Sequence, residues 1–224
     1  MQELQHMMGY KFNDVSLLDT ALTHSSYANE RKNVASNERL EFLGDSILGN
    51  AVAEHLYHNR PDMQEGQMTR LRAELVCERM LAAAASELDI GECLRLGRGE
   101  EATGGRLRAS ILADAMEAVF AAVFLDGGRA AAEALITKLI ISRIGDAESA
   151  SCDYKTALQE RCQKTPGNAV AYALVGDFGP DHDKMFRAEV TVGGKSLGFG
   201  EGRTKKLAEQ AAAKAALAEF NIEL

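Results

Sequence analysis

Five carboxylates on two apolar stretches are the residues of this chain that could do chemistry. In NERLEFLGDSIL, Glu38, Glu41 and Asp45 fall at about 0°, −60° and −20° on a wheel of ~100° per residue, so all three share one helix face. Leu40, Leu43 and Ile47 lie opposite, between roughly 140° and 200°, and Phe42 flanks the acidic side. From Ile111 to Leu125 the only charged residues are Asp114 and Glu117, three apart and therefore on one face. Everything around them is apolar, which implies a buried helix. Unpaired carboxylates in such a place are costly or become protonated. No Lys or Arg within that stretch can neutralise them, whereas a divalent cation can. Magnesium takes oxygen ligands and keeps several waters, which suits a small carboxylate set. Either acid group alone reads first as a solvated face, because charged residues are almost never fully buried unless paired. With both groups together, a solvated face and a divalent-metal site stand about level on residue type and spacing.

The remainder of the chain must position these acids. Its 224 residues allow one large domain or two smaller ones. The longest clean apolar run is Ala118 to Leu125, far short of the roughly 18 to 20 residues a membrane span needs. MQELQHMMGYKF at the start lacks the basic opening and apolar stretch of a secretory signal. A cytoplasmic location with no membrane partner is expected. Cys77, Cys93, Cys152 and Cys162 form no close CxxC pair, so reduced thiols are expected rather than structural zinc or disulfides.

Charge and pattern both divide the chain. The net charge of −8 argues against a simple basic nucleic-acid binder. Residues 1–151 hold 15 Lys/Arg against 23 Asp/Glu, while 152–224 hold 10 of each; all the excess acid is in the first part. Residues 14–144 read as almost continuous helix, with apolar spacing of three and four in VSLLDTAL, RLEFLGDSILGNAVAEHLY, MTRLRAELVCERMLAAAASEL and SILADAMEAVFAAVFL. Punctuation falls at Pro61, Gly66, the stretch Gly97 to Gly105, and Gly127–Gly128. The small polar run DAESASCD reads as a linker, dividing the chain into 1–145, 146–152 and 153–224. Beyond it the spacing predicts a helix over Tyr154 to Gln163 and strands over Ala171–Val175, Phe186–Val192 and Lys195–Gly200. An Ala-rich helix from Thr204 to Phe220 closes the chain. That αβββα order packs helices on one face of an antiparallel sheet, an α+β module after an all-α domain.

ERLEFLGDS at 38–46 resembles the signature block of the ribonuclease III family. ALTHSSY at 21–27 and ADAMEAVFAAVFLDGG at 113–128 match it too, in the family's order and spacing. The likeness covers nearly all of residues 5–145. It implies that Glu41, Asp45, Asp114 and Glu117 ligate magnesium, with manganese able to substitute, and that Asp45, Glu117 and Glu38 form the catalytic set. It also implies that Glu65 contacts RNA. No acid position departs from the pattern. The implied activity is magnesium-dependent endonucleolytic cleavage of double-stranded RNA by a homodimer, one strand per subunit. The products would carry 5′ phosphates, 3′ hydroxyls and short 3′ overhangs, in processing of ribosomal and other RNA.

KTALQERCQK, GPDHDKMFRAEV and GFGEGRTKKLAEQAAAKAAL resemble a double-stranded-RNA-binding domain over about residues 153–220. Such domains read A-form shape across two minor grooves and the phosphates between them. The resemblance places Thr156, Gln159 and Glu160 in one minor groove, His182 in the next, and Lys205 and Lys206 on the phosphates. Two lysines in the first turn of a helix oppose its dipole, which makes sense if an anion arrives there. Thr204 reads as the N-cap. Relatives carry more base after the lysine pair, where this chain has Leu207 and Glu209; Arg203 stands where a small hydroxyl residue is common.

Other signals carry less. The glycines of GRGEEATGG lack the Lys–Ser/Thr of a phosphate loop and read as a flexible connection. His55 and His58 lack HExxH spacing, and His24 is expected to pack rather than ligate. The Ala-rich face of residues 207–218 is expected to pack on its own sheet. The principal rival is a protein that binds double-stranded RNA without cutting it, against which the intact acids argue. A hydrolase of phosphorylated small molecules would have no use for a duplex reader.

Overall fold

The computed structural model describes residues 1–145, 147, 154–163, 168–180 and 184–220, with the side chains of Thr156, Gln163 and Phe220 set aside. The chain forms two compact units, Met1–Ser151 and Cys152–Leu224.

The described part of the first unit is helical: α1 (Gln2–Met8), α2 (Val15–Ala21), α3 (Ser25–Asn29), α4 (Glu38–Asn59), α5 (Glu65–Leu75), α6 (Glu78–Glu87), α7 (Ile90–Cys93), α8 (Arg98–Ala102) and α9 (Ala109–Leu139). The first half of α9 is apolar almost all round, so it forms the axis of the core; Ala115, Met116 and Ala118 to Val123 are fully buried. Helices α2, α4 and α6 pack around it. At Gly128, with φ 78° and ψ −176°, the backbone leaves helical geometry and α9 kinks, where the glycine pair is expected to interrupt the pattern. Asp126 fixes the approach to this kink. Its carboxylate accepts the Tyr10 hydroxyl at 2.7 Å and the backbone N–H groups of Asn13 and Asp14 at 2.9 and 2.8 Å.

The observed elements correct the sequence reading in two places. The run MTRLRAELVCERMLAAAASEL is two helices, broken at Val76–Cys77 without Gly or Pro; Met80 and Leu81 N–H groups return to the Cys77 carbonyl, starting α6 afresh. The stretch 97–105 is an ordered turn of helix rather than a loose connection. Arg106 makes a two-pronged pair with Glu101 at 2.6 and 2.7 Å and donates to the Gly91 and Leu94 carbonyls at 2.8 and 2.9 Å. Long-range hydrogen bonds of this kind have no local sequence signature. Of the expected linker, Ala147 lies among the described residues and is buried with the first core; residues 146 and 148–152 lie outside them.

The second unit is the expected αβββα module: α10 (Tyr154–Gln163), β1 (Val170–Phe178), β2 (Met185–Val192), β3 (Lys195–Gly202) and α11 (Lys205–Phe220). The strands pair antiparallel in the order β1-β2-β3. Alternation buries Ala188, Val190 and Val192 against Leu158, Cys162 and the α11 alanines 208, 212, 213 and 216. The Ala-rich face therefore packs on its own sheet. Close approach requires the β3 glycines: a Cβ at Gly200 would lie 2.1 Å from the Ala212 nitrogen.

Candidate metal centre and nucleic-acid interface

The acid site forms where α4 crosses α9. Gly44 makes the crossing possible, since a Cβ there would fall 1.9 Å from the Glu117 carbonyl oxygen. The two backbones thus touch between the α4 acids and the α9 acids. A glycine inside a strong helical pattern signals such a packing demand, and it is the sequence clue that spacing arguments about charge overlook.

One carboxylate oxygen from each of Glu41, Asp114 and Glu117 lies within 4.8 Å of the other two, and each residue is half-buried. Asp45 and Glu38 are exposed and stand outside this group of three. Glu38 accepts a hydrogen bond from the Ser36 hydroxyl at 2.7 Å. Burial, then the negative charges of Asp45, Glu41 and Asp114, push the Glu117 carboxyl up to about 8. Burial raises Glu41 as well, helped by Asp114, Glu38 and Asp45. Burial also raises Asp114; the charge of His24 opposes it and that of Glu78 adds to it. Burial and mutual repulsion therefore leave these three acids short of positive charge. Oxygen donors converging from two rigid helices fit a small, hard divalent cation, and such an ion would relieve the repulsion that raises the three carboxyls.

Glu65 opens α5 and is exposed, its Oε1 accepting the Thr69 hydroxyl at 2.9 Å. It is not brought into the group of three. His24 and Glu78, which the charge pattern overlooked, act on Asp114.

In the second unit, Gln159 and Glu160 are exposed on α10, and Thr156 shares their helix. His182 lies outside the described residues. Lys205 and Lys206 open α11, exposed, and neither makes an ion pair or hydrogen bond among the described residues. Thr204 caps that helix as expected, accepting the Leu207 N–H at 3.2 Å. Other cations are engaged: Lys155 pairs with Glu209 at 2.6 Å and Lys184 with Asp177 at 2.6 Å. The first pair also offsets the charge of Glu209 on α11.

Comparison with known proteins follows the same division. A family model for ribonuclease-III-like domains matches residues 14–144, and one for the double-stranded RNA binding motif matches residues 154–219. The chain is 49% identical over 222 residues to Ribonuclease 3 of Caldanaerobacter subterraneus subsp. tengcongensis, covering 98% of this chain and 97% of that protein. It is 48% identical to Ribonuclease 3 of Pelotomaculum thermopropionicum, covering 98% and 92%. Among solved structures it is similar to the ribonuclease III nuclease domain of Campylobacter jejuni, with a TM-score of 0.60 and 38% identity over 64% of this chain and 95% of that one.

Proposed function

This chain belongs to the ribonuclease III family and is an endoribonuclease, and we propose that it cuts double-stranded RNA with magnesium, or manganese in its place, held at the α4–α9 crossing. The observation that carries this reading is the convergence of Glu41, Asp114 and Glu117 to within 4.8 Å on two apolar helices.

A divalent ion at such a site supplies the positive charge that an anionic phosphodiester needs before attack, and it acidifies water. The protein's own groups set the conditions. Glu41, Asp114 and Glu117 would be the ligands. Glu117, its carboxyl raised to about 8 by burial and by the charges of Asp45, Glu41 and Asp114, would hold the ion in its deprotonated form. Asp45, whose charge reaches both Glu41 and Glu117, completes the catalytic set, and Glu38 shapes its open side. Glu65 touches RNA from the start of α5. Products carry 5′ phosphates and 3′ hydroxyls with short 3′ overhangs.

Residues 153–224 serve as the duplex reader and 1–145 as the nuclease, joined through 146–152. Thr156, Gln159 and Glu160 enter one minor groove, His182 the next, and Lys205 and Lys206 hold the phosphates between. The acid cluster at the α4–α9 crossing cuts one strand, so a double cut calls for a twofold homodimer, the commonest oligomer. The Campylobacter jejuni nuclease domain has a region involved in dimer formation. Here Phe42 on α4, 79% exposed, offers an apolar surface for such pairing. No helix among the described residues is long and apolar enough to cross a membrane, in keeping with a cytoplasmic role in ribosomal and messenger RNA processing. The test is incubation with a long RNA duplex with and without magnesium, followed by mapping of product ends. Staggered cuts only with the metal are expected; metal-independent cutting, or blunt products, would contradict the proposal.

A further inference from the structure

The first turn of α10 is tied to α11 by polar contacts. The Lys155 ammonium pairs with the Glu209 carboxylate at 2.6 Å, the two side chains 34% and 27% exposed. The same nitrogen lies 4.4 Å from the centroid of the Tyr172 ring on β1, close enough for a cation–π attraction. The Lys155 backbone N–H donates to Gln210 Oε1 at 3.3 Å. One residue earlier, the Lys214 ammonium stands 5.4 Å from the centroid of the Tyr154 ring. Lys155 is therefore a junction at which α10, α11 and β1 meet through polar groups.

Local physics alone would not put a lysine there. A cation in the first turn opposes the helix dipole, and the first N–H groups of a helix have no partner within it. Helix α11 answers both, Glu209 with charge and Gln210 with an acceptor. Beneath this tie, Leu158 packs on the alanines of α11. Short, uniform side chains hold two helices together but specify their register poorly, and a polar pair can fix what they leave open. That register matters, because α10 presents Gln159 and Glu160 one turn beyond Lys155, and α11 opens with Lys205 and Lys206 one turn before Glu209. Reading A-form shape requires groove contacts and phosphate contacts at a fixed separation.

We propose that Lys155 is a positioning residue of the duplex-binding module. Paired with Glu209, it holds α10 against α11 so that Gln159 and Glu160 meet a minor groove while Lys205 and Lys206 meet phosphates. Its ammonium is engaged by Glu209 and the Tyr172 ring, so it acts through the helices rather than on RNA. The inference rests on the reading of residues 153–224 as the duplex reader, and the test separates the two.

Affinity of the full chain for an RNA duplex is measured without metal over a range of salt, below the melting temperature of every variant. The variants are Lys155→Met, Lys155→Arg, Glu209→Gln and the double variant Lys155→Met with Glu209→Gln. Lys155→Met keeps the stem on Tyr172 and loses the charge; it should bind about fivefold more weakly, the upper end for a solvent-screened pair. Its slope of log K against log salt should match that of wild type. Lys155→Arg should restore affinity. Glu209→Gln should also weaken binding, although it removes a negative charge, and the double variant should bind no more weakly than either single one, because the pair acts as a unit. If Lys155→Met does not fold, the direction of change in Glu209→Gln still decides. A slope flatter by about 0.7 to 0.9 in Lys155→Met, or tighter binding by Glu209→Gln, would make Lys155 a phosphate contact and overturn the inference. Affinity within about twofold of wild type in both single variants would reduce the pair to a structural role and overturn it too. Wild type that holds a single strand as tightly as the duplex would instead overturn the duplex-reader reading.

Discussion

Gly44→Ala should disable the enzyme while leaving it folded. A Cβ at Gly44 would lie 1.9 Å from the Glu117 carbonyl oxygen and 2.5 Å from its carbonyl carbon. An ordinary carbon–oxygen contact needs about 3.3 Å, so α4 and α9 must part by roughly 1.4 Å at this point. That displacement separates Glu41 from Asp114 and Glu117, which now converge to within 4.8 Å. It exceeds the ~0.2 Å that metal–ligand distances tolerate by several-fold. Misplacement of about 1 Å can cost on the order of 100-fold in rate. The fold is expected to survive: overpacking costs about 1–3 kcal/mol, and alanine returns ~1 kcal/mol of helix propensity. Gly49, further along the same helix, meets nothing within 4 Å, so Gly49→Ala is the matched control and should be neutral or slightly stabilising. The assay is single-turnover cleavage of a labelled duplex for both variants, with circular dichroism to check helix content. Cleavage by folded Gly44→Ala within threefold of the control would refute the claim that this close approach sets the site.

Other consequences follow from the same geometry. Replacing Lys205 and Lys206 by Ala should weaken duplex binding evenly across sequences and flatten log K against log salt by about 0.7 to 0.9 for each phosphate no longer neutralised; an unchanged slope would mean both lysines are merely solvated. Phe42→Asp places a charge on a ring that is 79% exposed, so folding should persist while sedimentation shows monomer at concentrations where the wild type is dimeric; an intact dimer would move the interface elsewhere. The Glu117 carboxyl, at about 8, favours its protonated form in the folded state. Its contribution to metal-free stability is therefore full below the ordinary carboxylate range and is lost as pH rises towards 8. Melting temperatures in chelator from about pH 5 to 9 should fall more for wild type than for Glu117→Gln, and parallel curves would contradict the assigned environment.

Much of this was legible in the sequence because it is periodic. Asp114 and Glu117 betrayed themselves as the only charges between Ile111 and Leu125, Glu38, Glu41 and Asp45 by sharing one helix face opposite Leu40, Leu43 and Ile47, and β2 showed its burial by alternation. The Ala-rich face of α11 likewise announced its packing. What the sequence hid depends on tertiary structure. The break at Val76–Cys77 carries no Gly or Pro, and the order in residues 97–105 comes from Arg106 reaching the Gly91 and Leu94 carbonyls. Asp45 and Asp114 are equally acidic in sequence, yet the crossing at Gly44 gathers Asp114 into the group of three and leaves Asp45 exposed at its side.

If the charge of Glu117 serves catalysis rather than folding or RNA capture, removing it should slow cutting and little else. The most direct measurement is single-turnover cleavage of one duplex by wild type and Glu117→Gln over a range of magnesium, with duplex affinity measured on the same samples without metal. The variant should bind duplex as the wild type does, stay folded, and cut at least ~100-fold more slowly, since losing even an outer-shell partner of a metal ligand costs about 10- to 100-fold. Cleavage near the wild-type rate at ordinary magnesium would contradict it.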